Sequence, residues 1–260
     1  MDKDRVKIVC VIPSRYGAQR LPGKPLVKLL GKPMIQWVYE AASAVEEIDE
    51  VHIATDDDRI REAAEAFDAS VIMTPPECPS GTDRIREALS GRKGDVVVNV
   101  QGDEPGMRPE TIRTALMPLL EDRRADVSTA CLPIYDRATF LSPHAVKVVR
   151  GGGDEALYFS RAPIPSLARV PDEETNAEGY LFGYKHLGLY VYRREALEAF
   201  VKFDQTDLEL RERLEQLRFM EIGARILCPV TEHDSIGVDT ESDIPKAEEL
   251  LRKILGNEQK

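Results

Sequence analysis

The stretch VIPSRYGAQRLPGKPLVKLL, residues 11–30, follows an apolar run and continues as a loop that glycine and proline interrupt repeatedly. The run from Val6 to Ile12 is nearly continuous in valine and isoleucine, which is typical of a central parallel strand covered on both faces. Pro13 predicts the end of that strand, and Pro33 suits the first turn of a helix. The stretch therefore predicts a strand, a long loop and a helix, the opening unit of a βαβ fold.

The loop carries a charge opposite to that of the whole chain. The 260 residues include 46 acidic and 35 basic ones, for a net charge of −11. No acidic residue lies between Val6 and Tyr39, but six cations do: Lys7, Arg15, Arg20, Lys24, Lys28 and Lys32. A negative chain is not attracted to nucleic acid or to an anionic membrane, so an anionic ligand needs a local cationic site. A small phosphorylated ligand fits this pattern.

The rest of the first half alternates strands with helices. This period indicates βαβ units with right-handed crossovers, and so an α/β fold with a doubly wound, mostly parallel sheet. From about residue 133 the rhythm changes, and we interpret 133–220 as a lid and dimerisation insertion within a single domain, 1–260. The predicted strands are 6–12, 51–55, 70–73, 95–100, 126–132, 144–149, 187–192 and 235–238, and the later helices are 194–200, 209–221 and 244–255.

Cysteine usage and hydropathy predict a soluble, cytoplasmic protein. The four cysteines are scattered without metal-binding or redox spacing, as in a reduced compartment. No run approaches the roughly 20 apolar residues that a membrane span needs. We therefore expect neither a membrane nor a nucleic acid as partner.

Carboxylates follow two of the predicted strands. Asp103 and Glu104 come after the buried strand 95–100, and Asp239 follows 235–238. Ligands of open α/β sheets bind at the carboxyl ends of strands, and Mg²⁺ on a polyphosphate usually takes one or two protein carboxylates. Helix capping is the alternative for Asp239, and we interpret the run 56–58 mainly as an N-cap with first-turn charges.

The cationic loop and the PSGTDR stretch are expected at the same edge. Arg15 and Lys24 can bind a triphosphate, although scattered cations are often only a solvated face. The loop is not a Walker A motif, because GxxxxGK[ST] is absent. Residues 80–84 can contact a base or ribose, cap a helix, or do both. No arrangement of residues supports a covalent nucleophile.

A series of motifs, taken in their order along the chain, resembles a known family. IPSRYGAQRLPGKPL, ATDD, SGTDR, VNVQGDEP, AVKVV with YFSRAPIP, HLGLYVYR, LEQLR and GVDTESD cover nearly the whole chain. Together they are similar to the 3-deoxy-manno-octulosonate (Kdo) cytidylyltransferases, or CMP-Kdo synthetases. The resemblance implies a nucleotide-diphospho-sugar transferase fold of the glycosyltransferase-A type. It also implies the reaction of CTP with Kdo to give CMP-Kdo and diphosphate, which activates Kdo for lipopolysaccharide inner-core synthesis.

The resemblance also implies roles for individual residues. It assigns catalysis to Arg15, Lys24, Asp103 and Asp239, with Mg²⁺ held by Asp103 and Asp239. It assigns nucleotide binding to Arg15, Lys24, Ser80, Gly81, Thr82 and Arg84. It assigns sugar binding to Gln101, Arg161, His186, Tyr190, Glu215 and Gln216, with Arg161 as the partner of the sugar carboxylate. Arg20 is expected to brace the loop, and family members are usually homodimers.

Several alternatives stay open at this level. The continuation GMRPE after the acidic pair and the segment DEETNAEGYLFGYK depart from the expected family pattern. An 8-amino analogue of Kdo, or another ulosonic or sialic acid, is therefore an alternative acceptor. A non-catalytic nucleotide-binding protein is disfavoured, because the loop cations and both metal carboxylates are present. A transferase that uses a finished nucleotide sugar would need DxD, which QGDEP is not.

Overall fold

The computed structural model describes residues 5–17 and 20–257, so Ala18 and Gln19 of the predicted loop lie outside the described residues. Its strands, in chain order, are β1 (Ile8–Ser14), β2 (Lys28–Leu29), β3 (Lys32–Pro33), β4 (Glu50–Thr55), β5 (Ser70–Met73), β6 (Val96–Val100), β7 (Val127–Ser128), β8 (Cys131–Ile134), β9 (Lys147–Arg150), β10 (Ala156–Ser160), β11 (Gly183–His186), β12 (Leu189–Arg193) and β13 (Ile226–Leu227).

The helices of the same residues, in chain order, are α1 (Met34–Ser43), α2 (Asp58–Glu65), α3 (Gly81–Ala88), α4 (Pro109–Glu121), α5 (Arg137–Leu141), α6 (Asp172–Thr175), α7 (Arg194–Lys202), α8 (Asp207–Glu212), α9 (Gln216–Glu221) and α10 (Ile244–Asn257). Single 3₁₀ turns cover Lys24–Leu26, Gly152–Asp154 and Glu241–Asp243.

The large sheet has seven strands in the order β13-β7-β12-β6-β1-β4-β5. Its centre is parallel, since β1 pairs in parallel with both β4 and β6, and β4 with β5; β12 is antiparallel to its neighbours. The strand order reverses between β1 and β6, so the loops after these two strands open a crevice at their carboxyl ends. The predicted doubly wound, mostly parallel sheet is confirmed.

Helices cover both faces of this sheet. Buried side chains of α1, α2 and α4 pack on one face, and those of α3, α7 and α9 on the other. The central strands β1 and β6 are buried along nearly their whole length, which explains their valine-rich composition. No helix of the described residues is long and apolar enough to cross a membrane.

A second sheet of four strands, β10-β9-β11-β8, explains the change of rhythm after residue 133. The predicted strand 126–132 is wrong as a single strand. It divides into β7 of the large sheet and β8 of the small one. Likewise β11, which the sequence did not predict, belongs to the small sheet, and the chain returns to the large sheet as β12. Hydropathy cannot show the transfer from β7 to β8, because residues 127–131 are all buried.

Three other predicted boundaries are wrong. Strand β1 continues through Pro13 to Ser14. Its last pair with β6 is at Val11, so at Pro13 fewer ladder hydrogen bonds depend on the N–H that proline lacks. The predicted helix 209–221 divides into α8 and α9, because Arg213 has φ 56°. Residues 235–238 form a loop that makes one backbone bond to Asp103 instead of a ladder. The role of 133–220 as a lid and dimerisation region stays a prediction.

Candidate active site

Two adjoining cavities lie at the carboxyl ends of β1 and β6, with volumes of about 650 and 880 Å³. The first loop, the loop after β6 and the start of α3 line the smaller cavity. The loops around β11, β12 and α9 line the larger one. Both cavities share the side chains of Arg20, Gln101, Glu215 and Asp239. Two ligands could therefore meet at this boundary.

The smaller cavity gathers most of the residues predicted for the nucleotide. Arg15, Lys24, Ser80, Gly81 and Arg84 all line it, and so does Asp103. Thr82 faces the larger cavity instead, where its hydroxyl donates to Glu215 Oε2 at 2.7 Å.

Lys24 links the two carboxylates that the sequence assigns to the metal. Its ammonium donates to Asp103 Oδ2 at 2.5 Å and to Asp239 Oδ1 at 3.0 Å, and Arg20 Nη2 lies 2.8 Å from Asp239 Oδ2. Burial favours the neutral lysine, but the charges and hydrogen bonds of Asp103 and Asp239 together outweigh it and raise the pKa of Lys24. Burial likewise opposes ionisation of Asp239, but the hydrogen bonds and charges of Lys24 and Arg20 together outweigh it and lower the pKa of Asp239. The two acids and the lysine thus form one charged cluster.

The conformation of the first loop depends on a glycine. Gly23 has φ +70°, and a Cβ there would lie 3.1 Å from the ring of Tyr16. Its N–H donates to the Tyr16 carbonyl at 3.0 Å. The guanidinium of Arg59 stacks on the Tyr16 ring, 3.3 Å from the ring centre. Arg59 is in turn held by Asp57, which also caps α2. The predicted N-cap at residues 56–58 is confirmed, and Asp57 also braces the cationic loop through Arg59.

The start of α3 forms the opposite wall. The Ser80 hydroxyl accepts from the N–H of Asp83 at 3.1 Å, which confirms the predicted cap. Arg84 is buried; it donates to Thr74 Oγ1 at 2.5 Å, and its Nη1 lies 3.3 Å from Asp56 Oδ1. Arg84 is therefore fixed by the protein at the edge of the cavity.

The larger cavity contains five of the six residues predicted for the sugar: Gln101, His186, Tyr190, Glu215 and Gln216. Burial lowers the pKa of His186 to about 3, so the ring is neutral and hydrogen-bonds Thr129 Oγ1 at 2.9 Å. Tyr190 donates to Gln216 Oε1 at 2.9 Å. The Nε2 of Gln216 is buried and has no partner among the described residues. Such a donor favours an acceptor oxygen on a ligand.

Arg161 lies outside both cavities. Its guanidinium donates to the carbonyls of Glu212, Pro143 and Arg213 at 2.9, 3.1 and 3.4 Å. Arg213, at the break between α8 and α9, lines the larger cavity, as do Arg20, Lys185 and Lys246. Arg161 therefore supports the backbone that carries Arg213.

Sequence reasoning missed several residues of the cavities. Glu104 was recognised after its strand but received no role, and it lines the larger cavity with Lys185, Ser235 and Arg213. Burial, followed by the charge of Asp103, raises the pKa of Glu104 to about 7. Its position directly after a buried strand was the one available signal. The positions of Ser235 and Arg213 depend on loop conformations that no pattern predicted.

A family model described as Cytidylyltransferase matches residues 9–226. The chain belongs to the cytidylyltransferase family. The resemblance seen in its motifs is thereby confirmed. Proteins named 3-deoxy-manno-octulosonate cytidylyltransferase are close relatives of this cytidylyltransferase. The protein from Geobacter metallireducens is 45% identical over 251 residues, which is 95% of this chain and 99% of the relative. The one from Thioalkalivibrio sulfidiphilus is 48% identical over 93% of this chain and 97% of its own.

Solved structures agree with this assignment. A CMP:2-keto-3-deoxy-manno-octonic acid synthetase complexed with CTP superposes on this cytidylyltransferase with a TM-score of 0.86. The identity is 41%, and the match covers 95% of this chain and 99% of that one. A 4-diphosphocytidyl-2C-methyl-D-erythritol synthase from Anaerococcus prevotii has a TM-score of 0.60 at 15% identity, which shows a shared fold only.

Proposed function

We propose that this enzyme transfers a cytidylyl group from CTP to Kdo, giving CMP-Kdo and diphosphate and so activating the sugar acid for lipopolysaccharide synthesis. The observation that carries the proposal is the cluster of Lys24, Asp103 and Asp239, which lies between a cationic cavity and a second cavity lined by hydrogen-bonding side chains. Relatives named for this reaction, and a similar structure complexed with CTP, support it.

The reaction is an in-line substitution. The anomeric hydroxyl of the sugar attacks the α-phosphorus of CTP, a new P–O bond forms, and the bond to the β-phosphate oxygen breaks as diphosphate leaves. The proton of the hydroxyl passes to solvent. Such a transfer requires positioning and neutralisation of charge rather than a covalent enzyme intermediate.

The smaller cavity receives the nucleotide in this proposal. Arg15 and Lys24 bind the phosphates and stabilise the charge of the leaving diphosphate. Ser80, Gly81 and Arg84 lie on the wall opposite the first loop and seat the nucleoside. Thr82, hydrogen-bonded to Glu215, lies where the two cavities meet.

Mg²⁺ fits the chemistry of the cluster. Asp103 and Asp239 already share one cation, Lys24, and both are partly exposed at the boundary of the cavities. They supply hard oxygen donors, and two carboxylates suffice for an ion that keeps water and phosphate ligands. Bound there, Mg²⁺ would supply charge neutralisation at the α-phosphate. With the ion held there, Lys24 would be free to bind the phosphates.

The larger cavity receives the sugar acid. Neutral His186, Tyr190 and the free N–H of Gln216 offer hydrogen bonds to a polyhydroxylated ligand. We assign the sugar carboxylate to Arg213, which lines the cavity, and a supporting role to Arg161 behind it. An 8-amino analogue and other ulosonic or sialic acids remain the alternative acceptors.

A homodimer is part of the proposal. Large apolar side chains are exposed on and around the small sheet, namely Tyr135, Leu141, Leu157 and Leu181. A second copy of this chain would cover them, and a single species at the monomer mass in light scattering would contradict this. Within this proposal the enzyme acts in the cytoplasm.

A substrate panel tests the function. Diphosphate release is measured with CTP or UTP, with Mg²⁺, and with Kdo, 8-amino-Kdo or N-acetylneuraminate. We expect release with CTP and Kdo, and none with UTP. Asp103→Asn and Asp239→Asn should lose most of the turnover while retaining a cooperative thermal transition. Release that requires a different acid, or near-normal turnover in either variant at saturating Mg²⁺, would refute the corresponding part.

A further inference from the structure

Glu104 is a partly buried carboxylate to which the proposed mechanism gives no task. Its Oε2 accepts a hydrogen bond from the Ser235 hydroxyl at 2.5 Å. Its Oε1 lies beside two glycines: a Cβ built on Gly188 would be 3.0 Å from it, and one on Gly237 would be 3.4 Å away. Three loops, after β6, after β11 and before α10, therefore converge on one side chain.

An apolar side chain could fill this space without the free energy cost of burying a charge. The nearby lysine does not offset that cost by a direct contact. Lys185 donates to Asp234 Oδ1 at 2.5 Å and to the Ser235 carbonyl at 3.2 Å instead. What a carboxylate adds over an apolar group is its hydrogen bond to Ser235.

That hydrogen bond connects the two loops that carry Asp103 and Asp239. Glu104 is the next residue after Asp103, and Ser235 lies in the loop that leads to Asp239. A second connection runs through the backbone, from the Val238 N–H to the Asp103 carbonyl at 2.9 Å. Only a proline at position 238 would delete this backbone bond, whereas the bond from Ser235 to Glu104 can be deleted from either end.

We propose that Glu104 is a positioning residue, which holds the Asp239 loop against the Asp103 loop through Ser235 and so sets the separation of the two metal carboxylates. The inference rests on the proposed function, because it assumes that Asp103 and Asp239 bind a divalent cation together. It assigns no contact with substrate to Glu104. Lys185 fixes the same loop from the side of β11.

The test measures Mn²⁺ binding by electron paramagnetic resonance, with CTP present, in the full-length enzyme. Glu104→Leu and Ser235→Ala each remove the same hydrogen bond. One hydrogen bond to a charged group contributes about 1.5 kcal/mol or more, so we expect each variant to bind Mn²⁺ roughly tenfold more weakly. The double variant should be no weaker than Glu104→Leu alone, because both changes delete one shared interaction.

Two further variants separate positioning from general damage. Glu104→Gln keeps an oxygen that can accept from Ser235 and should bind Mn²⁺ within about threefold of the parent. Glu232→Leu exchanges an exposed carboxylate nearby for leucine and should leave binding unchanged. Should Glu104→Leu fail to fold, Ser235→Ala carries the comparison, since it removes only a hydroxyl.

The outcomes distinguish the two levels of the argument. Parent-like Mn²⁺ binding in Ser235→Ala and Glu104→Leu, or additive losses in the double variant, would overturn the positioning role and leave the proposed function intact. Absence of Mn²⁺ binding to the parent enzyme with CTP would overturn the metal site itself, and the positioning role with it.

Discussion

Lys24→Met tests the charged cluster most directly. The change removes an ammonium that donates to Asp103 at 2.5 Å and to Asp239 at 3.0 Å, but keeps an unbranched apolar side chain. Hydrogen bonds to charged groups contribute about 1.5–3 kcal/mol each. The side chain of Lys24 is 14% exposed, but those of Asp103 and Asp239 are 33% and 48% exposed, so water screens the pair. We therefore expect a total loss near the low end, about 2 kcal/mol.

Lys24→Met should have three measurable consequences, which do not all have the same sign. Without divalent cations the melting temperature should fall by roughly 4–8 °C, because a domain of this size changes by about 2–4 °C per kcal/mol. Lys24 and a metal ion compete for the same carboxylate oxygens. Removing the lysine should therefore strengthen Mn²⁺ binding in the absence of nucleotide, by roughly 30-fold for about 2 kcal/mol. Binding of CTP at saturating Mg²⁺ should weaken about tenfold, since one phosphate cation is lost.

Calorimetric titration with Mn²⁺, and thermal melts with and without Mg²⁺, provide the measurements. Lys28→Met is the matched control, because Lys28 is an exposed lysine that follows the same loop; it should change none of the three quantities. The reasoning would be refuted if Lys24→Met bound Mn²⁺ more weakly than the parent without CTP. In that case the lysine would be organising the carboxylates rather than competing for them.

Three other predictions address the loop, the acceptor cavity and the pH dependence. Gly23→Ala should lower the free energy of unfolding by about 1–2 kcal/mol and weaken CTP binding, because Gly23 has a positive φ and its added Cβ would meet the ring of Tyr16. Gly31→Ala is the control: Gly31 has φ +88° and nothing within 4 Å, so this variant should show the strain without the loss of CTP binding. Arg213→Ala should raise KM for Kdo at least tenfold and leave KM for CTP unchanged, because it removes one charge-assisted hydrogen bond to the sugar acid. Arg161→Ala should instead lower stability and kcat together. Burial lowers the pKa of His186 from 6.5 to about 3, so between pH 6.5 and 3 the unfolded chain binds more protons than the folded one, and stability falls as the pH drops through this range. Urea titrations of His186→Gln should show a smaller fall in stability, and a fall identical to that of the parent would contradict the assignment.

The parts of the fold that depend on local sequence were predictable. The valine-rich run of β6 and the caps at Asp57 and Ser80 follow from hydrophobic period and hydrogen-bonding chemistry within a few residues. The transfer of the chain between two sheets after Ser128 was not predictable, because residues 127–131 are all buried and no change of pattern marks the transfer. Nor was the break at Arg213, since its left-handed backbone has no glycine to signal it.

The same division applies to the site. Arg15 and Asp103 follow β1 and β6, and parallel strands bring their carboxyl ends to one edge, so that position along a strand predicts position in space. Lys24 lies at a 3₁₀ turn of the first loop, and Asp239 follows a loop rather than a strand. Arg161 was assigned to the sugar because an arginine in a matching motif is a natural carboxylate partner. Its three bonds to carbonyls depend on how distant loops fold around it. The edge at which the cationic loop meets Asp103 was therefore predictable from sequence position, whereas the contacts of Arg161 were not.

The acidic run at residues 56–58 shows why a capping role and a role in the site need not exclude each other. Asp57 caps α2 and also holds Arg59 against Tyr16, on the loop that contains Lys24. Its neighbour Asp56 lies 3.3 Å from Arg84, across the smaller cavity from that loop. Neither acid lines a cavity among the described residues, yet each fixes a cation or a ring on an opposite wall. In the proposed mechanism these contacts help to position both walls of the smaller cavity, so a change at the N-terminus of α2 should alter CTP binding without touching the nucleotide.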